Sequence, residues 1–519
     1  MNALKILIDT NILIGLEDNR EIDSAFSSLH QKCHENGVQI FVHEASKRDI
    51  QKDKDIQRRS VILSKIAKFP EISGIQEPGR DFLESKYGAI SKSNDHIDVL
   101  LLYTLHDIGA VDFLVTQDRG LHKRAIQAGI SDRVFNVEDA LVWLRNKYDR
   151  TPVVLPFIEE KRCHQINRTD SIFSSLQTDY AGFDKWFSDT CVKGHRGCWT
   201  INFEGKIAGI AIRKDESSDD FFRGIPASRS LFQRAPDKIL KICTLKIGEE
   251  YRGEKFGEQL LKQILWWANR NKYEFAYLTV FPKHKNLIDL LLQYGFEVMG
   301  RSTGELYMGK AFSPGILTRP PEDDPLLFHR QYYPAFRNDN SIEKYLIPIH
   351  SEYYDKLFPE NISKRQDELF DVQGFGKGSR IPGNTIRKVY VSHTPIKAMK
   401  PGAILLFFQL KDDNSLLSQS LITVGIVDGF ETTQSHEKLL QFTAKRSVFS
   451  ESELVSFTSN DTKAVKIVNF FLAGHIRPPV AYKILQDLGI KGPYQSIRKI
   501  DHEKFMSLEK EIQLDVKST

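Results

Sequence analysis

The stretch KICTLKIGEEYRGEKFGEQLLKQIL, residues 241–265, predicts a strand, a tight loop and a helix in direct succession. Gly253 and Gly257 allow backbone N–H groups to face one concavity at the start of the helix, where the helix dipole favours an anion such as a pyrophosphate. Arg252 can add a direct phosphate contact. A glycine pair before a helix is also common in turns that only connect elements, so both interpretations stay open here.

The segment around this loop, residues 151–312, combines several strands with helices. CWTINF (198–203) and KIAGIAI (206–212) are strand candidates before the loop. The strand FAYLTVF (275–281) and the helix NLIDLLLQYGF (286–296) come after it. This order predicts an α+β domain in which helices cover a sheet.

The loop resembles the acetyl-CoA loop of the GNAT acetyltransferases, which reads Arg/Gln-x-x-Gly-x-Gly/Ala. Arg252 and Gly257 match its first and last positions, and Lys255 stands at its middle glycine. The segment LTVFPKHKNLIDLLLQYGFEVMG (278–300) resembles the second cofactor-binding segment of the family, with its usual Gly-Phe pair. The resemblance implies a GNAT-like fold with acetyl-CoA as cofactor. The implied cofactor-binding residues are Leu245, Ile247, Arg252, Gly253, Lys255, Phe256 and Gly257.

Groups that could move protons in this segment depart from the usual GNAT pattern. Many members carry a tyrosine four residues before the Gly-Phe pair, where it protonates the departing thiolate, but this sequence has Leu291 there. Tyr294 and Tyr307 are nearby alternatives. Glu250, or Glu249 beside it, can act as the general base at the end of the strand. The resemblance therefore implies either acetyl transfer or acetyl-CoA binding by a sensor or scaffold.

The first segment, residues 1–149, alternates short apolar strands with helices. Its strand candidates are KILID (5–9), VQIFVH (38–43), DFLVTQD (112–118) and RVFNV (133–137). This alternation predicts an α/β/α layer structure with a parallel sheet.

Acidic residues stand where these strands end or the helices begin. Asp9 and Asp118 close two strand candidates, Asp49 comes after another, and Asp95 and Asp98 lie one helical turn apart. An open parallel sheet places its active-site crevice at the carboxyl ends of its strands. Packed carboxylates repel one another, and Mg²⁺ or Mn²⁺ relieves that repulsion and can activate water for phosphodiester hydrolysis. Taken singly, each acid could instead be a turn residue or a helix cap.

The pieces ILIDTNILI (6–14), NDHIDVLLLYTL (94–105) and LVTQDRGL (114–121) resemble the PIN-domain nucleases. The resemblance implies a PIN-like fold and a Mg²⁺- or Mn²⁺-dependent ribonuclease with metal at Asp9, Asp95 and Asp118. Its further implied site residues are Asp98, one turn after the third acid; Asn11 and Thr116, which orient the cluster; and Asp49, or Glu44 nearby, as the second acid.

The last part of the chain begins with a Pro-rich stretch and continues with apolar runs. Residues 313–340, which open with SPGILTRPPEDDPLLF, are predicted as a linker. In residues 341–519, the runs KVYVSH, AILLFFQL, LITVGIVDGF and KIVNFFL predict a small barrel. This region resembles PUA-like barrels of the ASCH and EVE kind, which implies contact with RNA. Interleaved basic and aromatic residues, such as Arg387, Lys388 and Tyr390, are of the types that pair phosphate contacts with base stacking.

Composition excludes several classes of protein. The chain has 519 residues, 41% hydrophobic and 27% charged, which favours a folded protein of roughly three domains. A formal charge of +4 is too small for a global nucleic-acid-binding field, so an RNA site must be a local patch. Five scattered cysteines indicate neither a disulfide framework nor structural zinc. No signal peptide or membrane segment is expected, which predicts a cytoplasmic protein.

Three hypotheses are consistent with these patterns. The leading one is an RNA-directed protein whose PIN-like domain cleaves RNA, with tRNA among the candidate substrates. By analogy of fold it would be a toxin or stress and defence effector, restrained by a separately encoded antitoxin. The alternative is an N-acetyltransferase acting on RNA or protein, with the flanking domains serving recognition. A third is a non-catalytic RNA-binding regulator.

Overall fold

The computed structural model describes residues 4–9, 12, 24–51, 59–60, 63, 66–148, 157–203, 206–251, 255–359, 380–382, 385–413, 415, 417–443, 451–459, 464–492, 494–512 and 514. Contacts divide the chain into two compact units. The first comprises Met1–Val153, Glu249–Glu254 and Thr433–Asp461. The second comprises Val154–Gly248, Lys255–Thr432 and Thr462–Thr519, so the predicted central and C-terminal domains lie in one unit.

The first unit is built on a five-stranded sheet in which every pairing is parallel, with the order β3-β2-β1-β4-β5. The predicted parallel sheet is therefore confirmed. Its strands are β1 (Lys5–Ile8), β2 (Gln39–His43), β3 (Glu71–Ile72), β4 (Phe113–Val115) and β5 (Val134–Phe135).

Helices cover both faces of this sheet. They include α1 (Ser24–Glu35), α2 (Glu44–Ile50), α3 (Arg80–Tyr87), α4 (Ser93–Tyr103), α5 (Arg119–Gln127) and α6 (Val137–Tyr148). Because side chains alternate along a strand, Ile6 and Ile8 pack in one core with Trp143, while Leu7 packs in the opposite core with Leu101. The chain order reverses at β1, which lies between β2 and β4, and such a switch point opens a crevice at the carboxyl ends of the strands.

The second unit contains an eight-stranded sheet with the order β11-β12-β10-β9-β8-β7-β6-β14. Its pairings are antiparallel except that of β9 with β10. The strands are β6 (Phe157–Arg162), β7 (Gly197–Phe203), β8 (Lys206–Glu216), β9 (Ile239–Ile247), β10 (Phe275–Val280), β11 (Glu297–Ser302), β12 (Glu305–Ala311) and, from the C-terminal region, β14 (Arg380–Pro382). The associated helices include α7 (Ser174–Asp179), α8 (Phe183–Trp186), α9 (Ser218–Gly224), α10 (Phe256–Arg270) and α11 (Lys285–Gln293).

The stretch predicted as a linker is folded. Helix α12 (Pro325–Tyr332) begins after Asp324, whose side chain accepts a hydrogen bond from the Leu327 N–H group. Phe328 and Tyr332 are buried in a core with Phe275 and Tyr277 of β10. An N-cap aspartate followed by proline is a helix start, and the apolar side chains behind it hold the segment against the sheet.

The C-terminal region forms a six-stranded mixed sheet with the order β15-β18-β17-β16-β13-β19. Its strands are β13 (Lys344–Ile349), β15 (Arg387–Ser392), β16 (Ile404–Gln409), β17 (Ser420–Thr433), β18 (Val465–Ala481) and β19 (Arg498–Ile500), and the four predicted runs all fall on them. Helices α13 (Ser351–Leu357), α16 (Tyr482–Asp487) and α17 (His502–Glu511) belong to this region, whereas α14 (His436–Thr443) and α15 (Glu451–Thr458) belong to the first unit. No helix in the described parts of the chain is long and apolar enough to cross a membrane.

Candidate functional site

Asp9 comes directly after β1, whereas Asp118 lies three residues after the end of the neighbouring parallel strand β4 and caps α5, with its Oδ1 accepting from the Leu121 N–H group at 2.9 Å. Ile8 pairs with Val115, and the Asp9 N–H group donates to the Val115 carbonyl at 2.9 Å. The Thr116 hydroxyl donates to Asp9 Oδ2 at 2.7 Å and accepts from the Asp118 N–H group at 2.9 Å. Thr116 therefore orients the two acids, the role that the resemblance implies, whereas Asn11 lies outside the described residues.

Asp98 completes a group of acids with Asp9 and Asp118. Burial raises the pKa of Asp98 to about 7, and the charges of Asp118 and Asp9 contribute to that rise. A divalent cation binds favourably beside carboxyl groups that oppose one another's ionisation, because its charge removes their mutual repulsion.

Asp95 is engaged at its own helix terminus instead. Its Oδ2 accepts from the Ser91 and Lys92 N–H groups at 2.8 and 3.0 Å, and Arg124 Nη2 lies 3.5 Å away. These backbone hydrogen bonds lower the pKa of Asp95. The side chain thus acts as the helix cap that was the alternative interpretation of each acid.

The predicted ligand set of Asp9, Asp95 and Asp118 is not brought together as a metal site. Within the described residues, no three histidine, cysteine, aspartate or glutamate side chains are arranged to hold a metal ion. Asp49 lies in α2, and its side chain is outside what the structure describes. The oxygen donors of Asp9, Asp98 and Asp118 nevertheless have the chemistry that Mg²⁺ and Mn²⁺ require.

In the second unit, the strands β9 and β10 run parallel and then separate. Their pairing extends from Phe275 opposite Ile239 to Tyr277 opposite Lys241, after which β9 continues to Ile247 and β10 to Val280. The separation opens a gap in the middle of the sheet, beside the start of α10. Leu245 and Ile247, two predicted cofactor-binding residues, lie half-buried on the diverging part of β9.

A β-bulge distinguishes the same part of β9. Ile212 pairs with Thr244 and the next residue, Arg213, pairs with Ile242, so Cys243 is an extra residue in the strand. A bulge takes backbone groups out of the regular ladder and redirects them. Cys243 is therefore a position where a main-chain group can serve a ligand in the gap.

The start of α10 explains the unusual Lys255. This residue caps the helix in the left-handed conformation, with φ 56° and ψ 18°, a region in which glycine carries no steric cost. Gly257 allows close packing, because a Cβ atom there would lie 3.3 Å from Leu290 Cδ2 and 3.8 Å from Ile247 Cγ1. Phe256 is buried. Arg252 and Gly253 lie outside the described residues.

The positions that the sequence analysis weighed for proton transfer differ in their surroundings. Leu291 is fully buried and cannot transfer a proton. The Tyr294 hydroxyl donates to Glu258 Oε1 at 2.8 Å, and burial raises the pKa of Tyr294 well above its ordinary value, which makes it a packing residue. Glu249 is exposed just after the end of β9, and the side chain of Glu250 is not among the described ones.

Of a cluster of polar side chains on or beside β10 and β12, sequence reasoning found Tyr307 and missed Tyr180, Tyr277 and Glu305. Tyr277 and Tyr307 stack with ring centroids 5.9 Å apart. The Tyr180 hydroxyl donates to Glu305 Oε1 at 3.1 Å, and the Tyr180 ring lies 5.2 Å from that of Phe281. Burial, with Glu305 and Glu216 nearby, raises the pKa of Tyr307. The signal was weak, because the hydrogen bond that joins Tyr180 to Glu305 spans 125 positions of the sequence.

Comparison with known proteins identifies this fold. Residues 161–296 match the acetyltransferase (GNAT) family model, and the match includes the separating strands and α10. This stretch is a GNAT acetyltransferase domain. The match begins within β6 and ends at the Gly295–Phe296 turn before β11. A search of curated proteins found no match to the chain.

Solved structures of two kinds each resemble about a third of the chain. NAA60 of Arabidopsis thaliana in complex with acetyl-CoA is 15% identical, with 30% of this chain and 99% of that chain covered and a TM-score of 0.23. An N-acetyltransferase from Staphylococcus aureus is 14% identical, with coverages of 30% and 98% and a TM-score of 0.23. ASCH from Zymomonas mobilis is 12% identical, with coverages of 34% and 98% and a TM-score of 0.24.

Proposed function

We propose that this protein is an acetyl-CoA-dependent N-acetyltransferase. The observation that carries the proposal is the gap between β9 and β10, which opens beside the left-handed Lys255 turn and the first turn of α10. The N–H groups of that first turn would bind the pyrophosphate, with Gly257 keeping the approach open. Leu245 and Ile247 would contact the pantetheine arm, and the bulge at Cys243 would offer a main-chain donor. Acetyl-CoA supplies an acetyl thioester when bound.

Transfer needs one group that takes a proton from the acceptor amine and another that gives a proton to the thiolate. Glu305 is the proposed proton acceptor, because it is half-buried beside the gap and is positioned by Tyr180. Tyr307 is the proposed donor. A tyrosine hydroxyl is protonated at neutral pH, and the direction of the pKa shift of Tyr307 keeps it so, which leaves a proton to give to the thiolate.

Removal of the Tyr307 hydroxyl tests this assignment. We expect Tyr307→Phe to lower kcat by roughly 100-fold with little change in the KM for acetyl-CoA, because a general acid acts mainly in the chemical step. Release of free CoA thiol would be followed with peptide, lysine and RNA amines as acceptors. Tyr345→Phe is the matched control, since Tyr345 donates to Glu343 at 3.0 Å in another sheet. Equal losses in both variants would contradict the role of Tyr307.

A second candidate function rests on the first unit. We propose a Mg²⁺- or Mn²⁺-dependent ribonuclease, favoured by the parallel sheet and by the acids Asp9, Asp98 and Asp118 at its switch point. The substrate would be RNA, with tRNA as one candidate. The C-terminal sheet would contact the RNA in the way that the ASCH resemblance implies. A toxin role with a partner antitoxin belongs to the same proposal. Metal-dependent RNA cleavage that is lost in Asp9→Asn would support it, and equal cleavage with EDTA would contradict it.

The raised pKa of Asp98 gives this candidate a test that does not need the RNA substrate. The pKa of Asp98 is about 7 in the folded protein against 3.8 for an ordinary aspartate, so its ionisation opposes folding as pH rises from 4 to 7. Asp98→Asn should therefore stabilise the first unit by about 1–2 kcal/mol at pH 8 and by almost nothing at pH 4.

Thermal unfolding at the two pH values measures this difference. Adding Mg²⁺ at pH 8 should raise the stability of the native protein more than it raises the stability of the Asp98→Asn variant. In the variant, the repulsion that the metal would relieve is already gone. Asp81→Asn serves as the control, because Asp81 is exposed at the start of α3. Asp107 is unsuitable as a control because it pairs with Lys86. A pH-independent gain in Asp98→Asn would contradict the electrostatic account.

A further inference from the structure

The GNAT domain contains a second concave site, at the end of its sheet away from the start of α10. The cavity has a volume of about 440 Å³, and its lining includes Arg162, Arg196, Arg213, Lys214, Trp267 and Tyr273. Trp267 is eleven residues after Phe256 in α10, which places it roughly 16 Å along the helix from the proposed pyrophosphate end. The cavity is therefore separate from the proposed pyrophosphate end of the cofactor site.

One arginine in this cavity is held rigidly. The Arg213 guanidinium lies 4.3 Å from the Trp199 ring and 4.0 Å from the Trp267 ring. Its Nη2 donates to Glu160 Oε1 at 2.6 Å, and Nη1 has no hydrogen-bond partner among the described residues. A Cβ atom at Gly197 would come within 2.8 Å of its Cζ atom, so glycine leaves the room that the guanidinium fills. Arg213 is thus fixed by packing before any ligand arrives.

The other cations of the cavity differ in their partners. Lys214 is paired with Glu216 at 3.2 Å. Arg162 Nη1 donates to the His195 carbonyl at 3.0 Å, and Arg196 Nη1 contacts the sulfur atoms of Cys243 and Cys191 at 3.3 and 3.7 Å.

Neither Arg162 nor Arg196 forms an ion pair with a carboxylate in the described parts of the chain. The remaining acid of the lining, Asp215, accepts a hydrogen bond from the Tyr273 hydroxyl. Two guanidinium groups therefore line the cavity with neutral partners. An anion with two negative charges would neutralise both guanidinium groups, and arginine binds phosphate in bidentate geometry.

We propose that this cavity binds the phosphomonoester group of a small phosphorylated ligand. The volume lies within the range of small-molecule sites, and the two arginines match the charge of a phosphomonoester dianion. The aromatic rings of the lining are already in contact with cations, which leaves them less able to stack on a base. Arg213 covers Trp267, and Lys238 lies 4.2 Å from the Tyr273 ring. Recognition is therefore of the phosphate. The proposal is independent of acetyl transfer.

Binding of adenosine 5′-monophosphate to the full chain tests this site. Saturating CoA is present, so that the nucleotide cannot report on the cofactor gap. Calorimetry should detect binding of the monophosphate and no binding of adenosine. The double variant Arg162→Gln/Arg196→Gln should weaken the affinity by roughly 100-fold, about tenfold for each charged contact. Arg223→Gln is the matched control, because Arg223 is 77% exposed on α9 and should leave the affinity unchanged.

Two further probes identify the source of the phosphate. A short RNA with a 5′-phosphate should compete with the monophosphate if the site takes an RNA end, and the same RNA with a 5′-hydroxyl should not. Competition by glycerol 3-phosphate instead would identify free metabolites as the source. Equal affinity for adenosine and its monophosphate, equal binding by the double variant, or no binding of any phosphorylated probe would overturn the proposal.

Discussion

Replacement of Gly257 by glutamate should weaken acetyl-CoA binding by roughly 100-fold or more. Gly257 is the second residue of α10, where a Cβ atom would already lie 3.3 Å from Leu290 Cδ2. A glutamate at this position adds a negative charge within the first turn of α10. Its carboxylate would then interact with the free N–H groups and repel the pyrophosphate that we expect there.

Calorimetric titration with acetyl-CoA measures this loss. Gly79→Glu is the matched control, because Gly79 also begins a helix, α3, and a Cβ atom there would have nothing within 4 Å. Circular dichroism would establish that both variants fold. Unchanged affinity in Gly257→Glu would contradict the placement of the cofactor at α10 and, with it, the leading proposal.

Replacement of Gly295 by alanine should destabilise the second unit by about 3–5 kcal/mol. Gly295 has a φ of 81°, a conformation that costs alanine about 1 kcal/mol. A Cβ atom would also meet the carbonyl oxygens of Gln331 and Arg330, the second at 2.6 Å. Both clashes are with backbone, so relief requires movement of α12 away from the GNAT domain.

Gly304→Ala separates the two costs of that substitution. Gly304 has a φ of 83°, but a Cβ atom there would have nothing within 4 Å. Its expected loss of stability is therefore about 1 kcal/mol, from backbone conformation alone. Urea unfolding followed by tryptophan fluorescence compares the two variants. Similar losses would contradict the close contact between Gly295 and α12.

Local patterns were sufficient to predict the elements that form the fold. Runs of apolar residues broken by glycine or acid predict the strands that precede Asp9 and Asp118, and also the strand, loop and helix around Lys255. Lys255 itself was a departure from the family pattern. Its left-handed φ gives the physical reason that glycine is usual there, since lysine accepts the same conformation at a cost of about 1 kcal/mol.

The roles of several side chains were not accessible from those patterns. Asp95 was predicted as a metal ligand, but the backbone N–H groups of Ser91 and Lys92 compete for its carboxylate. Tyr307 was one of two alternative donors in the sequence, but Glu305, the proposed base, comes from a strand with no recognisable motif. The Pro-rich stretch before residue 340 is indistinguishable by composition from a linker, and only the burial of Phe328 and Tyr332 makes it part of a core.

Glu258 ties the GNAT domain closely to the C-terminal region of the chain. Its Oε1 atom accepts hydrogen bonds from Tyr294 and from the N–H groups of Ile386 and Arg387, at 2.9 and 3.3 Å for the last two. Strand β14 also covers the free edge of β6. A polypeptide cut after Phe312 would leave a sheet edge unpaired, which invites self-association. We therefore expect that the GNAT domain cannot be transferred to another protein without the C-terminal region that covers β6 and binds Glu258.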